Sequence, residues 1–278
     1  MTTLVLGGTG KTGRRVARRL HALERPVRIG SRSGRPPFDW NDRATWGPAL
    51  EGVTSAYVTF QPDVAVPGAA AAVGALAERA GAAGVRRLVL LSGRGEEGAL
   101  EAERALRDAA DAAGAEWTIV RSSFFAQNFS EDFMLEAVLA GEVALPVGDV
   151  PEPFIDIEDI ADVAVAALTG EGHAGEVYEV TGPRLLTFAE MTGEIAKATG
   201  RPIDYVRVPV ADYTAQLAGY GLPAGVVDLL TYLFTEVLDG RNASVADGVR
   251  RALGREPRDI TDYARDTAAT GVWDGAVR

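Results

Sequence analysis

Hydrophobic positions along the chain follow two alternating patterns. Nearly continuous apolar runs, of the kind that buried parallel strands show, cover residues 4–6 and 86–91. Between such runs the apolar residues recur at helical spacing, as Val16, Ala17 and Leu20 do. Because strands alternate with helices in this way, the sequence predicts an α/β fold with a doubly wound parallel sheet.

This alternation is regular up to about residue 121 and looser after it. The predicted strands are residues 4–6, 26–30, 54–60, 86–91, 116–120, 151–157, 176–180 and 203–208, with a short strand end at 38–40. The predicted helices are residues 16–23, 41–50, 67–83, 98–113, 125–139, 158–168 and 185–200, followed by a largely helical stretch at about 209–268. We expect a larger domain over residues 1–150, its sheet completed by residues 151–182, and a smaller, mainly helical lobe over residues 183–278.

The turn between the first strand and the first helix carries glycines at the spacing G-x-x-G-x-x-G. A strand, a glycine turn and a helix form the context in which spaced glycines indicate dinucleotide binding. Gly7 permits the tight turn, Gly10 lets the backbone approach a pyrophosphate, and Gly13 lets the helix pack close to the sheet. The phosphates would then lie at the positive end of the helix dipole.

The turn also fits two other interpretations. Gly10, Lys11 and Thr12 also resemble the end of a P-loop, but that motif needs a glycine where this chain has Val5, inside the strand. A purely structural glycine turn remains the plainer alternative. Three glycines at this spacing exceed what a turn alone requires, so dinucleotide binding is favoured.

The end of the second strand indicates which dinucleotide is bound. An NAD site expects an Asp or Glu there to hold the ribose 2′-hydroxyl, and this chain has Ser31, Arg32 and Ser33 instead. Arg32 offers a planar guanidinium for a 2′-phosphate, with the two serines and Lys11 as further donors. The sequence therefore favours NADP(H) over NAD(H), unless Arg28 and Arg32 are ordinary solvated charges.

Composition excludes several classes of site. Cys is absent, and the two histidines, His21 and His173, are far apart, so neither a metal site nor a Ser-His-Asp triad can be assembled. The net charge of −11 argues against nucleic acid as a partner. No apolar stretch reaches the length of a membrane helix, and the first strand leaves no room for a signal peptide, so we expect a cytoplasmic protein. A homo-oligomer is possible.

Three segments, residues 7–13, 121–129 and 153–164, resemble the NmrA-like atypical short-chain dehydrogenase/reductase family. The resemblance covers nearly the whole chain and is greatest to the branch of ergot-alkaloid (agroclavine and festuclavine) dehydrogenases, with triphenylmethane and NADPH quinone reductases as relatives. It implies a Rossmann fold, NADP(H) as cofactor and oxidoreductase activity. The family also includes nucleotide-sensing regulators without catalysis, so a non-catalytic NADP(H) sensor is an alternative.

The resemblance also implies roles for individual residues. The predicted cofactor-binding set is Gly7, Thr9, Gly10, Lys11, Thr12, Gly13, Ser31, Arg32, Phe60, Pro62, Ser92, Gly93, Ser122 and Phe124. The predicted catalytic set is Ser92, Phe125 and Asn128, with Phe124 also lining the acceptor pocket. Two plainer alternatives stay open: Ser92 could close the turn at the strand end, and Asn128 could cap the following helix.

The usual proton donor of short-chain reductases is missing. A Tyr-x-x-x-Lys pair is expected on the helix after the Ser92 strand, and residues 98–106 contain neither residue type. General acid catalysis contributes roughly 10²–10⁴-fold, so the sequence favours an acceptor that needs hydride alone or is already activated, such as an iminium or a quinone. Glu96 and Glu97 follow the same strand and could act as acids or attract a cation, but we expect both to be solvated.

The sequence therefore predicts an NADPH-dependent reductase acting on a small, hydrophobic or aromatic molecule. An alternative is a carbonyl or enone reductase whose proton comes from Tyr213, Tyr220 or Tyr232 in the helical lobe.

Overall fold

The computed structural model describes residues 2–274. Its strands are β1 (Thr2–Leu6), β2 (Val27–Gly30), β3 (Val53–Val58), β4 (Arg87–Gly93), β5 (Glu116–Ser122), β6 (Glu142–Leu145), β7 (Glu176–Val180) and β8 (Asp204–Arg207). Its α-helices are α1 (Lys11–Ala22), α2 (Trp46–Leu50), α3 (Ala69–Ala82), α4 (Glu97–Ala113), α5 (Asn128–Glu131), α6 (Leu135–Ala140), α7 (Ile157–Thr169), α8 (Phe188–Thr199), α9 (Val210–Gly219), α10 (Ala224–Tyr232), α11 (Gly248–Leu253) and α12 (Ile260–Ala268). A 3₁₀ helix covers Arg43–Thr45 and a π-helix covers Leu233–Val237.

The chain forms two compact units, and the first contains the main sheet. This unit combines the residues up to Ser122 with Ile157–Val180 and Asp247–Glu256. Six parallel strands follow the order β2-β1-β3-β4-β5-β7. Chain order reverses beside β1, and in doubly wound sheets ligands bind at such a point, outside the carboxyl ends of the strands. The predicted α/β class and parallel sheet are confirmed.

Burial on both faces stabilises this sheet. Leu4, Val5 and Leu6 of β1 are fully buried. Leu4 and Leu6 belong to one apolar cluster, and Val5 between them points to the other face. Such strands appear in the sequence as continuous apolar runs because both faces are covered. Each fully buried leucine contributes about 1.5–3 kcal/mol relative to an exposed one.

Helices α3 and α4 pack closely because small residues line their contact. A Cβ added to Gly81 would lie 2.4 Å from the Cβ of Ala113, and one added to Gly74 would lie 3.2 Å from the Cβ of Ala105. Alanine at either glycine would therefore push the two helices apart. The alanine-rich composition of this region reflects helix packing.

The second unit combines Ser123–Asp156, Thr181–Ala246 and the described residues from Pro257 onward. Its core is an aromatic cluster in which Phe154 and Phe188 meet edge to face, with ring centroids 4.9 Å apart. The Tyr263 hydroxyl donates to the main-chain oxygen of Ala126 at 2.9 Å, so this buried phenol is satisfied. A small parallel pair, β6 with β8, belongs to the same unit.

The predicted strand at residues 151–157 is wrong. The structure has only isolated bridges there, through Glu152 and Ile155. Pro151 and Pro153 lack the N–H that a continuous ladder requires. The apolar run is buried all the same, which explains why it resembles a strand in the sequence.

Three other elements differ from the prediction. Residues 38–40 form no strand and contain only the bridge of Asp39 with Asp42. The helix predicted at residues 125–139 is divided into α5 and α6, because Asp132 between them takes an extended backbone conformation. Strand β6 was not predicted, since its four residues are too few to show a period.

The structure divides the chain at other places than the predicted boundaries. Ser123–Asp156 belongs to the second unit, whereas Asp247–Glu256 returns to the first. The residues 1 and 275–278, which the predicted ranges include, lie outside the described residues. No described helix has both the length and the apolar character that crossing a membrane requires. Residues 2–274 contain no cluster of acidic and histidine side chains that could hold a metal ion.

Candidate functional site

The turn after β1 leaves no room for a side chain at Gly7 or Gly13. Gly7 has a φ of +61°, a conformation that favours glycine. The N–H of Gly10 donates to the carbonyl oxygen of Gly7 at 2.8 Å. A Cβ added to Gly13 would lie 2.2 Å from that same oxygen. The structure therefore gives Gly7 and Gly13 the backbone roles that the spacing predicts.

Helix α1 begins without a side-chain cap. Gly10 is its N-cap residue, and the first turn contains no acidic side chain. The first N–H groups of a helix have no partner within the helix, and together with the helix dipole they favour an anion. A phosphate at this position would meet the positive end of a helix of 12 residues.

The chain folds back on itself directly after β2. The carbonyl oxygen of Ser31 accepts from the N–H groups of Gly34 and Phe38, at 2.9 and 2.8 Å. Arg32 lies exposed on this turn, and no carboxylate within residues 2–274 pairs with it. Arg28 differs, because its guanidinium donates to the main-chain oxygens of Ala49 and Glu51, at 2.8 and 2.6 Å. Arg28 is therefore not the ordinary solvated charge of the alternative, and Arg32 is available to a ligand.

A cavity of about 680 Å³ connects the glycine turn with the turn after β2. Its lining includes Gly7 and Thr9 at one end and Ser31, Arg32 and Ser33 at the other. The volume lies within the range of small-molecule and cofactor sites, about 300–1,000 Å³. The cavity therefore brings Gly7 and Thr9 of the predicted phosphate-binding turn together with the predicted 2′-phosphate residues, whereas Gly10, Lys11, Thr12 and Gly13 do not line it.

Sequence reasoning missed part of this lining, including Trp40, Asn41, Thr59 and Gln61. The indole N–H of Trp40 donates to the carbonyl oxygen of Thr59 at 3.1 Å, and its ring lies 4.8 Å from that of Phe60. The aromatic residues at positions 38 and 40 are the available signal, although their pattern predicts only a short strand end. The predicted residue Pro62 also lines the cavity.

Ser92 is held by a partly buried ion-pair network, in which Glu103 is the buried member. Its side chain is 2% exposed, and its hydroxyl donates to Oε1 of Glu103 at 2.6 Å. The guanidinium of Arg121 donates to both oxygens of Glu103, at 2.8 and 2.6 Å, and to Glu179 at 2.7 Å. These bonds raise the pKa of Arg121 above its ordinary value, despite the opposing effect of burial. The geometry favours the plainer interpretation, in which Ser92 closes the end of β4.

Glu96 is buried, so the expectation that it is solvated is wrong. The residue is 6% exposed, and its Oε2 atom has no hydrogen-bond partner. Burial first, and then the charge of Asp63, raise the pKa of Glu96 to about 8. Asp63 is half-buried, and this burial raises its pKa as well. Glu97, which we also expect to be solvated, is exposed.

The remaining predicted residues lie mostly in the second unit. Phe124 packs against Phe188, with ring centroids 5.3 Å apart. The main chain of Phe125 bridges to the segment around Ile155. Asn128 is 8% exposed and is the first residue of α5, whose N-cap is Gln127. Asn128 is therefore not the cap of that helix.

Two further predicted residues lie at the carboxyl ends of neighbouring strands in the first unit. Ser122 ends β5, and its hydroxyl donates to the carbonyl oxygen of Ser92 at 3.2 Å. Gly93 ends β4, and an added Cβ there would lie 2.0 Å from Oε1 of Glu96. The glycine is what allows the Glu96 side chain to fold back over the strand end.

Two of the three alternative proton donors, Tyr213 and Tyr220, differ widely in their exposure to solvent. Tyr213 is 4% exposed, and burial raises the pKa of its hydroxyl well above the ordinary value. Tyr220 is 70% exposed, and its hydroxyl accepts from the side-chain amide of Gln216 at 2.9 Å. Neither of these residues lines the cavity between the glycine turn and Arg32.

Sequence comparison finds relatives along nearly the whole chain. The chain is 35% identical to (4-alkanoyl-5-oxo-2,5-dihydrofuran-3-yl)methyl phosphate reductase of Streptomyces griseus, over 95% of this chain and 97% of that protein. It is 31% identical to NAD(P)H azoreductase of Xenophilus azovorans, over 96% and 98%. It is 30% identical to agroclavine dehydrogenase of Claviceps fusiformis, over 98% and 99%. The chain belongs to the NmrA-like atypical short-chain dehydrogenase/reductase family.

Solved structures show the same fold. Triphenylmethane reductase of Citrobacter sp., complexed with NADP(H), superimposes with a TM-score of 0.78 at 17% identity, over 96% of this chain and 100% of that one. NmrA, a negative transcriptional regulator in complex with NAD, gives a TM-score of 0.70 at 17% identity, over 98% of each chain. No protein-family model matches the sequence.

The membership confirms two predictions made from the sequence, namely the NmrA-like family and the class of oxidoreductase. The acceptor and the roles of individual site residues in this family member stay predictions.

Proposed function

We propose that this chain is an NADP(H)-dependent reductase acting on an activated acceptor, such as a quinone, an azo compound or an iminium cation. The observation that carries the proposal is the cavity that runs from the glycine turn to Arg32. Relatives named as an NAD(P)H azoreductase and an agroclavine dehydrogenase support the choice of acceptor classes.

The residues present fit a dinucleotide. Added Cβ atoms would clash at both ends of the glycine turn, at 2.4 Å from Oγ1 of Thr59 for Gly7 and at 2.2 Å from the Gly7 oxygen for Gly13. Glycines at these positions leave the backbone open to a closely approaching pyrophosphate. The uncapped start of α1 and the positive charge of Lys11 match the charge of such a group.

Each end of the cavity performs a separate task in this proposal. The glycine turn orients the pyrophosphate, and Arg32, with Ser31 and Ser33, holds the 2′-phosphate through charge-assisted hydrogen bonds. When bound, the reduced nicotinamide supplies the hydride. Rigid attachment of the phosphates is what positions the reacting end of the cofactor.

The class of acceptor is inferred from the chemistry that its reduction requires. Helix α4 offers neither a tyrosine nor a lysine in residues 98–106, and its buried Glu103 is ion-paired with Arg121. An acceptor that is already electrophilic suits such a chain. We assign Phe124, Phe125 and Asn128 to the binding of a hydrophobic or aromatic acceptor.

The test is to follow the absorbance of NADPH while a panel of quinones, azo dyes, iminium compounds and cationic triphenylmethane dyes is added. We expect consumption of NADPH in proportion to the acceptor reduced, faster with NADPH than with NADH. Tight NADPH binding without turnover of any acceptor would replace the proposal with a nucleotide-sensing regulator. Absence of binding would remove the cofactor assignment as well.

A further inference from the structure

Two loops at the carboxyl edge of the first unit's sheet bring two carboxyl groups together. Asp63 follows β3, and Glu96 follows β4, the strand paired with β3. The loops are in close contact, because a Cβ added to Gly98 would lie 2.2 Å from the carbonyl oxygen of Ala65. This edge is the one at which doubly wound folds bind their ligands.

The Glu96 carboxyl is a buried group with an unused oxygen. The residue is 6% exposed, and Oε2 accepts no hydrogen bond. Asp63 uses Oδ1 to accept from the N–H of Ala65 at 2.8 Å, an interaction that fixes the loop. An unpaired buried carboxylate is costly, so such a group retains its proton.

No described cation compensates this pair. Arg94, two residues before Glu96, directs its guanidinium to Glu179 at 3.3 Å. Glu103 on α4 is neutralised by Arg121 at 2.6 Å. Glu97 is exposed to solvent. Among the described residues, no positive charge favours the ionised form of Glu96, and the negative charge of Asp63 opposes its ionisation.

We propose that the Glu96 carboxyl, buried beside Asp63 with an unpartnered oxygen, is the proton donor for acceptors whose reduction requires a proton in addition to hydride. This inference rests on the proposed function. It explains how a chain without the Tyr-x-x-x-Lys pair can reduce a neutral acceptor. With a pKa near 8 the group holds its proton at neutral pH and can release it to a developing anion.

The step balances for a quinone. The acceptor gains a hydride from a reduced nicotinamide, which becomes oxidised, and the resulting oxyanion takes the proton of the Glu96 carboxyl. The product is a hydroquinone, and the carboxylate regains a proton from water. A triarylmethyl cation needs only the hydride to become a neutral leuco product, so it makes no demand on Glu96.

The test compares these two acceptors in the variant Glu96→Gln, using menadione as the quinone and a cationic triphenylmethane dye. We expect the ratio of quinone to dye turnover to fall by about 10²-fold, within the range of general acid catalysis. The matched control is Glu97→Gln, which makes the same carboxyl-to-amide change at the neighbouring exposed position and should keep the wild-type ratio. Thermal melting of both variants verifies that they are folded.

A second variant provides a readout that a structural role would not give. Asp63→Asn removes the like charge, so the pKa of Glu96 should fall and the alkaline limb of the quinone pH–rate profile should move to lower pH. Independently of turnover, infrared titration of the wild-type protein should show a carboxylic acid carbonyl band at neutral pH that Glu96→Gln lacks.

The outcomes separate the two proposals. If neither acceptor is reduced by the wild-type protein, the proposed function fails. If both are reduced and Glu96→Gln leaves the ratio unchanged, or the infrared band is absent at neutral pH, the reductase stands and the role of Glu96 is overturned.

Discussion

At the scale of single residues, the site depends on glycines, whose lack of a side chain allows other groups to approach closely. Gly13 allows α1 to start against the carbonyl oxygen of Gly7, and Gly93 allows Glu96 to fold over the end of β4. Glycine spacing is visible in a sequence, so the first feature was predicted. The burial of Glu96 was not, because it depends on a loop more than thirty residues earlier in the chain.

Gly13→Ala should weaken NADPH binding by about tenfold or more, which corresponds to about 1.4 kcal/mol. An added Cβ would lie 2.2 Å from the Gly7 oxygen, so the turn must shift. Isothermal titration calorimetry measures the loss. The control is Gly193→Ala in α8, where nothing lies within 4 Å of the added carbon and helix propensity should raise stability by up to about 1 kcal/mol. Unchanged affinity in Gly13→Ala would contradict the close packing of the turn.

Glu96 should make the protein less stable as pH rises. Its pKa in the fold is about 8, above the ordinary value of 4.5, so between these pH values the folded state binds the extra proton. The free energy of unfolding should therefore decrease from about pH 5 to about pH 8, by a few kcal/mol at most. Urea unfolding at several pH values tests this. Glu96→Gln should show a shallower slope, and an equal slope would show that other groups control the dependence.

At the scale of secondary-structure elements, one ion-pair network ties α4 to the ends of three strands. Glu103 of α4 joins Ser92 of β4 and Arg121 of β5, and Arg121 continues to Glu179 of β7. Glu103 lies on the helix on which a Tyr-x-x-x-Lys pair is expected from the sequence. Its bonds fix the carboxyl ends of β4 and β5.

Removing the charge of Glu103 should destabilise the fold. In Glu103→Gln we expect a loss of about 3 kcal/mol, at the lower end for a broken buried pair because Arg121 keeps Glu179. Glu101→Gln, at an exposed position of the same helix, should change stability by less than about 0.5 kcal/mol. Denaturant unfolding of both variants provides the comparison. Equal, small effects would mean that the network contributes little.

At the scale of the whole molecule, prediction succeeded where burial leaves a simple pattern. The strands of the main sheet are buried on both faces and appear as apolar runs, so β1, β4, β5 and β7 were found within a few residues. Prediction failed where an apolar run cannot form a strand, as at residues 151–157, because Pro151 and Pro153 lack the N–H that a ladder requires.

The boundaries of the two units could not be predicted from the sequence. Ser123–Asp156 leaves the first unit, and Asp247–Glu256 returns to it. Gly248 marks that return, since an added Cβ would lie 2.1 Å from the carbonyl oxygen of Glu179. No change of composition accompanies these crossings, so only the packing of residues distant in the chain reveals them.

The central claim is that the glycine turn and Arg32 together hold NADP(H), and calorimetric titration of NADPH and NADH tests it most directly. We expect tighter binding of NADPH in the wild-type protein. Arg32→Ala should weaken NADPH binding by about 10–100-fold and change NADH binding little, because only the 2′-phosphate is lost as a partner. Arg86→Ala, which removes the same charge just before β4 at the opposite edge of the sheet, should alter neither. Equal losses for both nucleotides in Arg32→Ala, or no heat of binding in the wild-type protein, would contradict the account.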